Sequence, residues 1–143
     1  MIVDFNYYED TYKGNKIPQD EDFERIEVQA SNKVKMYIMN RDYTNWCGKD
    51  YTEQVKLATC SVADILYETE QIQNIIDSVI KGGQDKIITS EKVADYSKSY
   101  GTATFKELQE EVSRTNVNKK IQDEINEYLW YTGLMNRGVG VVR

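Results

Sequence analysis

Apolar residues recur at helical spacing through most of the chain, and one stretch departs from that rhythm. Phe5, Tyr8 and Tyr12 stand three and four residues apart, ahead of Gly14. The spacing predicts a short helix over 4–12, ended by Gly14 in a left-handed conformation. Pro18 then precedes Phe23, Ile26, Ala30, Val34, Tyr37 and Ile38. Their three- and four-residue steps predict a helix over 19–39 with one face toward a core. Asp20, Glu21, Asp22 and Glu24 lie near its start, where the helix dipole favours acids, and Lys33 and Lys35 lie nearer its end.

The stretch "NRDYTNWCGKDYTEQ" reads as a loop, and Asp50 followed by Glu53 predicts a capping box at its close. Val55, Ala58, Val62, Ile65, Leu66, Thr69, Ile72, Ile76 and Val79 make the most regular pattern in the chain, and Gly82-Gly83 end it. Small residues at Ala58, Cys60 and Ala63 suit a central helix. Next comes "KIITSEKVADYSKSYGTA", in which Ala94, Tyr96, Lys98 and Tyr100 alternate with Val93, Asp95, Ser97 and Ser99. Period two predicts extended structure, as a loop or a small hairpin with Ile87 and Ile88. An isolated hairpin is marginal in water, so this one needs support from the helices or from another chain. Helical spacing returns with Phe105, Leu108 and Val112, then with Ile121, Ile125, Tyr128 and Leu129. The polar "RTNVN" between the two groups predicts a break near 114–118, and Gly133 an end.

The predicted fold is mainly α: a small helical bundle over 1–132, with a short β-hairpin or extended loop at 87–101. A flexible C-terminal tail, 133–143, follows. A chain of 143 residues suits one domain and buries roughly 68–70% of its unfolded surface. Its 40% hydrophobic and 29% charged content place it in the globular class. Pro18 is the only proline, which leaves long helices unbroken.

Charge is uneven. The net value is −6, and residues 51–80 set Glu53, Asp64, Glu68, Glu70 and Asp77 against Lys56 alone. The closing "TGLMNRGVGVVR" holds two arginines and no acid. An acidic chain binds nucleic acid poorly, because phosphate attraction needs clustered Lys or Arg. Along a channel wall, the same charge repels DNA. Cys47 and Cys60 read as free thiols and not as a disulfide scaffold. The start "MIVDFNYYED" has no signal-peptide pattern, and no apolar run approaches the length of a membrane span.

The chain has no histidine, the commonest general base and metal ligand. Two cysteines alone make no tetrahedral zinc site. Asp20, Asp22 and Glu24 have calcium-loop spacing, but Arg25 replaces the required glycine and Ser31 the closing glutamate. Gly138-Val139-Gly140 has no helix after it to receive a phosphate. No P-loop or nucleophile elbow occurs. No catalytic, cofactor-binding or metal-binding residue is therefore assigned, and no cofactor is expected. Of eleven tyrosines, Tyr96 and Tyr100 stand out because they fall in the extended segment. Tyrosine is enriched at protein interfaces, and packing of the hairpin on the core is the alternative role.

Four segments in order resemble the tailed-phage head–tail connector family, also called head-completion or adaptor proteins. They are "DFNYYEDTYKGNKIPQDEDFERIEVQAS", the acidic "VKLATCSVADILYETEQ", "ITSEKVADYSKSYG" and "YLWYTGLMNRGV". The third is similar to a Ser/Thr-Glu-x-x-Gly-Asp-Tyr-Ser signature, with Ala94 where glycine is common. The fourth is similar to a "TGL…RGV" ending. Together they span nearly the whole chain. The resemblance implies a structural virion protein, without catalysis, made in the bacterial cytoplasm and residing at the virion neck. It implies a ring of copies, dodecameric in the virion, beneath the portal protein. The ring extends the DNA channel and receives a tail-proximal stopper or tail-completion protein. DNA is passing cargo, and no membrane is involved. On this view, Val93, Tyr96, Tyr100, Leu134, Met135, Arg137, Val139, Val141, Val142 and Arg143 contact the portal or a neighbouring copy, while Glu68 and Glu70 line the channel. The rival reading is a small helical protein-interaction or regulatory module.

Overall fold

A computed structural model describes residues 2–81, 109, 110 and 112–135, with backbone alone for 78–81. The extended segment expected at 87–101 lies outside the described residues. The chain is mainly α. Four helices are bounded among the described residues: α1 (Phe5–Asp10), α2 (Asp20–Tyr37), α3 (Thr52–Lys81) and α4 (Arg114–Leu129). The chain divides into two compact units, Met1–Tyr67 with Lys119–Arg143, and Glu68–Asn118. α3 and α4 each contribute to both.

In the first unit, α1 begins where the Asp4 carboxylate accepts the Tyr7 amide at 2.8 Å, satisfying one of the orphan donors of a helix start. α1 has only 6 residues, too few to be stable alone, so its position depends on the Phe5 and Tyr8 rings. The Tyr8 ring lies 4.9 Å from that of Phe23 on α2. The turn after α1 departs from expectation. Lys13 takes the left-handed conformation, with φ 64°, and Gly14 does not. Gly14 is needed for a different reason: a Cβ there would stand 2.2 Å from Cζ of Tyr8.

α2 buries Phe23, Ile26, Ala30 and Val34, as its spacing predicts, and also Glu27 and Ser31. Tyr37 is only half-buried. Met39 and Asn40 then take φ of 58° and 55°, and the Asn40 amide closes the helix on the Lys35 carbonyl at 2.8 Å. Asparagine tolerates this conformation better than most residues, which leaves Met39 as the strained position.

The loop to α3 holds a tight turn. Trp46 and Lys49 exchange both backbone hydrogen bonds, at 2.8 and 3.1 Å. Cys47 and Gly48 between them have φ of 55° and 81°, the pair of positive values a type I′ turn requires. The capping box expected at Asp50 and Glu53 does not form. Asp50 accepts instead from the amide and hydroxyl of Thr52, two residues on. The Asp50 carboxyl is held below its usual range by the Thr52 hydroxyl and amide.

From Ala58 to Asp64 every residue of α3 is buried. A helix enclosed on all sides is the centre of its unit, and Ala58, Cys60 and Ala63 permit that close packing. Ile121, Ile125 and Leu129 of α4 are fully buried in the same unit. The Arg41 guanidinium stands 5.0 Å from the Trp46 ring centre and donates to the carbonyls of Gly133 and Leu134 at 3.1 and 2.8 Å. It thereby satisfies carbonyls just past α4 and ties them to the loop after α2.

In the second unit, Ile72, Ile75 and Ile76 of α3 and Val117 of α4 are buried. The break expected near 114–118 falls at 112–113, ahead of α4. Ser113 is the reason: its hydroxyl accepts the Asn116 amide at 3.4 Å. Its carbonyl accepts the Val117 amide at 3.0 Å.

Substituting Gly14→Ala forces a methyl into the Tyr8 ring, whose hydroxyl is held by three partners. The ring has no easy retreat. The expected loss is about 1–3 kcal/mol of unfolding free energy in a urea titration. A Gly→Ala change at a position free of crowding would instead stabilise slightly.

Candidate functional site

Two buried carboxylates organise the polar interior of the first unit. Asp64 of α3 accepts the Tyr8 hydroxyl at 2.6 Å on Oδ1 and the Tyr12 hydroxyl at 3.1 Å on Oδ2. The Tyr8 hydroxyl in turn accepts the amides of Lys16 and Ile17, each at 3.1 Å. One phenol thus links α1, the turn after it and α3. Glu27 of α2 is the second. Its Oε2 accepts the amides of Ile2 and Val3 at 2.7 and 2.9 Å and the Ser31 hydroxyl at 2.6 Å. Its Oε1 is buried with no hydrogen-bond partner among the described residues. Farther along, Ser61 donates to Glu124 of α4 at 2.9 Å.

These surroundings decide what the groups can do. Burial, and then the bond and charge of Asp64, raise the phenols of Tyr8 and Tyr12 well above their usual range. Tyr7 is raised by burial and by the Glu53 carboxylate that accepts its hydroxyl at 2.6 Å. Tyr128 is raised by burial and by Glu124. The Cys60 thiol is pushed up to about 12 by burial, with the charges of Asp64, Glu27 and Asp4 adding to it. A thiol or phenol protonated at neutral pH is a weak nucleophile and a weak base. The network therefore holds elements together through its donors. Among the described residues, no group of His, Cys, Asp and Glu is placed to hold a metal ion. Nor is any helix there long and apolar enough to cross a membrane.

A cleft of about 280 Å³ opens beside the network, lined by Ile2, Val3, Asp4, Tyr7 and Lys56. The Lys56 ammonium lies 5.1 Å from the Tyr7 ring centre. The more distinctive surface is apolar. Trp130 and Tyr131, just past α4, are 70% and 52% exposed. Tyr131 meets the Tyr51 ring edge-on at 6.2 Å and the Trp130 ring at 5.8 Å, so the pair is held in place. Val28 and Met36 of α2, at 55% and 56%, and the neighbouring Met39 are also exposed.

The expected contact residues are distributed unevenly. Leu134, expected in the tail, is fully buried in the body, where Arg41 holds its carbonyl. The apolar side chain gains more from the core than the tail assignment allowed. Met135 is half-buried. Glu68 and Glu70 are half-buried on α3, in the second unit. Val93, Tyr96, Tyr100, Arg137, Val139, Val141, Val142 and Arg143 lie outside the described residues. Sequence reasoning passed over Trp130, although the pattern marks it: Asp123 and Glu127 lie a helical step apart on the polar face of α4, and Trp130 follows three residues on, just past the helix. It also passed over the buried role of Asp64 and Glu27. A glutamate at 27, between Ile26 and Ala30, was the available signal.

No family model, curated protein or solved structure matches the chain.

Two solution measurements check this picture. A disulfide exchange reagent at pH 8 is expected to label Cys47, which is exposed, and to label Cys60 only in denaturant. For the phenols, the folded-state values lie above the unfolded ones, so the stability they contribute is complete below pH ~10 and is lost as pH rises beyond it. Ultraviolet titration is expected to show Tyr8 and Tyr12 ionising together with unfolding, at higher pH than exposed phenols.

Proposed function

We propose that the chain is a structural head–tail connector of a tailed phage. Its ring sits beneath the portal at the virion neck, extends the DNA channel and receives a tail-proximal partner. One observation carries the reading. The segment "YLWYTGLMNRGV", which bears the family-like ending, presents Trp130 and Tyr131 on the surface, with the Tyr131 ring edge-on to that of Tyr51. Large exposed aromatics on a fixed base suit adhesion between proteins. The four ordered segments of the resemblance support the same reading. So does an interior whose polar groups are engaged in holding helices together.

In this role the residues after Met135, with Arg137, Val139, Val141, Val142 and Arg143, attach the chain to the portal. The acids Glu68 and Glu70 face the passing DNA, where negative charge prevents adhesion. Val93, Tyr96 and Tyr100 contact a neighbouring subunit or the portal.

Deleting residues 136–143 leaves Leu134 in the core and is expected to abolish co-sedimentation with purified portal rings while circular dichroism is unchanged. Undiminished binding would remove the tail from this role. Reversing Glu68→Lys with Glu70→Lys is expected to leave particle assembly intact and lower infectivity through slowed DNA passage. Full infectivity would take both acids off the channel wall.

A further inference from the structure

The cleft in the first unit carries two opposite charges that the fold leaves unpaired. Its lining is Ile2, Val3, Asp4, Tyr7 and Lys56, and its volume is about 280 Å³, near the lower end of the range that small-ligand sites occupy. Lys56 of α3 is half-buried, with its ammonium 5.1 Å from the Tyr7 ring centre. Among the described residues, neither Lys56 nor Asp4 forms an ion pair. The two charges therefore stand more than 4.0 Å apart. Asp4 uses Oδ1 to accept the Tyr7 amide, and its Oδ2 has no hydrogen bond among the described residues. Glu53, whose carboxylate accepts the Tyr7 hydroxyl, is not part of the lining. Ile2 and Val3 make an apolar wall, fixed in place because Glu27 accepts both of their amides.

We propose that this cleft binds a free aliphatic α-amino acid. Its carboxylate pairs with Lys56, its ammonium pairs with Asp4 Oδ2, and its side chain packs on Ile2 and Val3 beside the Tyr7 ring. The two charges select this class of ligand. A simple anion meets Lys56 but is repelled by Asp4, and a simple cation meets Asp4 but is repelled by Lys56. A zwitterion satisfies both at once, through charge-assisted hydrogen bonds of about 2.7–2.9 Å. The gap between Lys56 and Asp4 leaves room for it, since the two do not close on each other. Bound there, the amino acid bridges Asp4, ahead of α1, to Lys56 on α3. It thereby ties two segments of the first unit together and stabilises the folded chain by mass action. The chemistry of the cleft is independent of the connector reading.

The test is an NMR titration of the isotope-labelled full-length chain with L-leucine. The amide resonances of Ile2, Val3 and Tyr7 are expected to shift, and the melting temperature to rise with ligand concentration. Isocaproate lacks the ammonium, and isoamylamine lacks the carboxylate. Each is expected to bind at least about fivefold more weakly, the scale of one partly exposed charge pair. Lys56→Met keeps the apolar stem, and Asp4→Asn keeps a side chain able to cap α1. Each variant is expected to bind L-leucine more weakly by a similar factor, with circular dichroism unchanged. If either variant loses helix, the two single-charge compounds decide the matter on the parent chain. Absence of shifts at the solubility limit of L-leucine, or shifts confined to residues away from the cleft, would overturn the site. Equal binding of either single-charge compound, or undiminished binding by the folded variants, would overturn the zwitterion as its ligand.

Discussion

Placing the Asp64 carboxylate inside the first unit costs several kcal/mol unless its oxygens are hydrogen-bonded. Tyr8 and Tyr12 provide those bonds, one to each oxygen. Because the Tyr8 hydroxyl also accepts two backbone amides, the same contact determines where α1 and its following turn lie against α3. Gly14 has no room for a side chain because the ring must pass there. Phe23 and Phe5 enclose the ring from other sides. Removing Asp64 would leave the hydroxyls of Tyr8 and Tyr12 without that acceptor, and a buried unmade bond costs about 1–3 kcal/mol.

Glu27 performs the analogous task at the start of the chain. A segment as short as residues 2–4 has no helix or sheet to satisfy its amides, and the carboxylate accepts two of them. Arg41 does the converse at the other end, donating to two carbonyls past α4. Charged side chains thus serve the backbone where regular structure stops.

The charges on the outside have a different character. They are spread in blocks: basic along the second half of α2, acidic along the second half of α4. Blocks of one sign are solvated cheaply and contribute little to folding, but they select partners. The division of labour follows from dielectric. Inside, each charge must find a bond; outside, it need only avoid its own sign.

Helices were legible in the sequence because their cause is local and repetitive. The apolar steps of α2 and α3 needed no knowledge of neighbours. Leu129 and the Ile121–Ile125 step were legible in α4 for the same reason. Caps and turns were less so. Asp50 looked like a box partner to Glu53, yet Glu53 is taken by Tyr7, 46 residues away. Gly14 looked like a helix terminator, while the need at that position comes from a ring placed by a distant carboxylate. Leu134 read as tail until Arg41 and the core claimed it. Residue type and spacing alone determined that the protein is helical and which faces are apolar. Tertiary structure alone decided which acids are buried, which glycine is indispensable and which aromatics remain outside, because each depends on a contact between residues far apart in the chain.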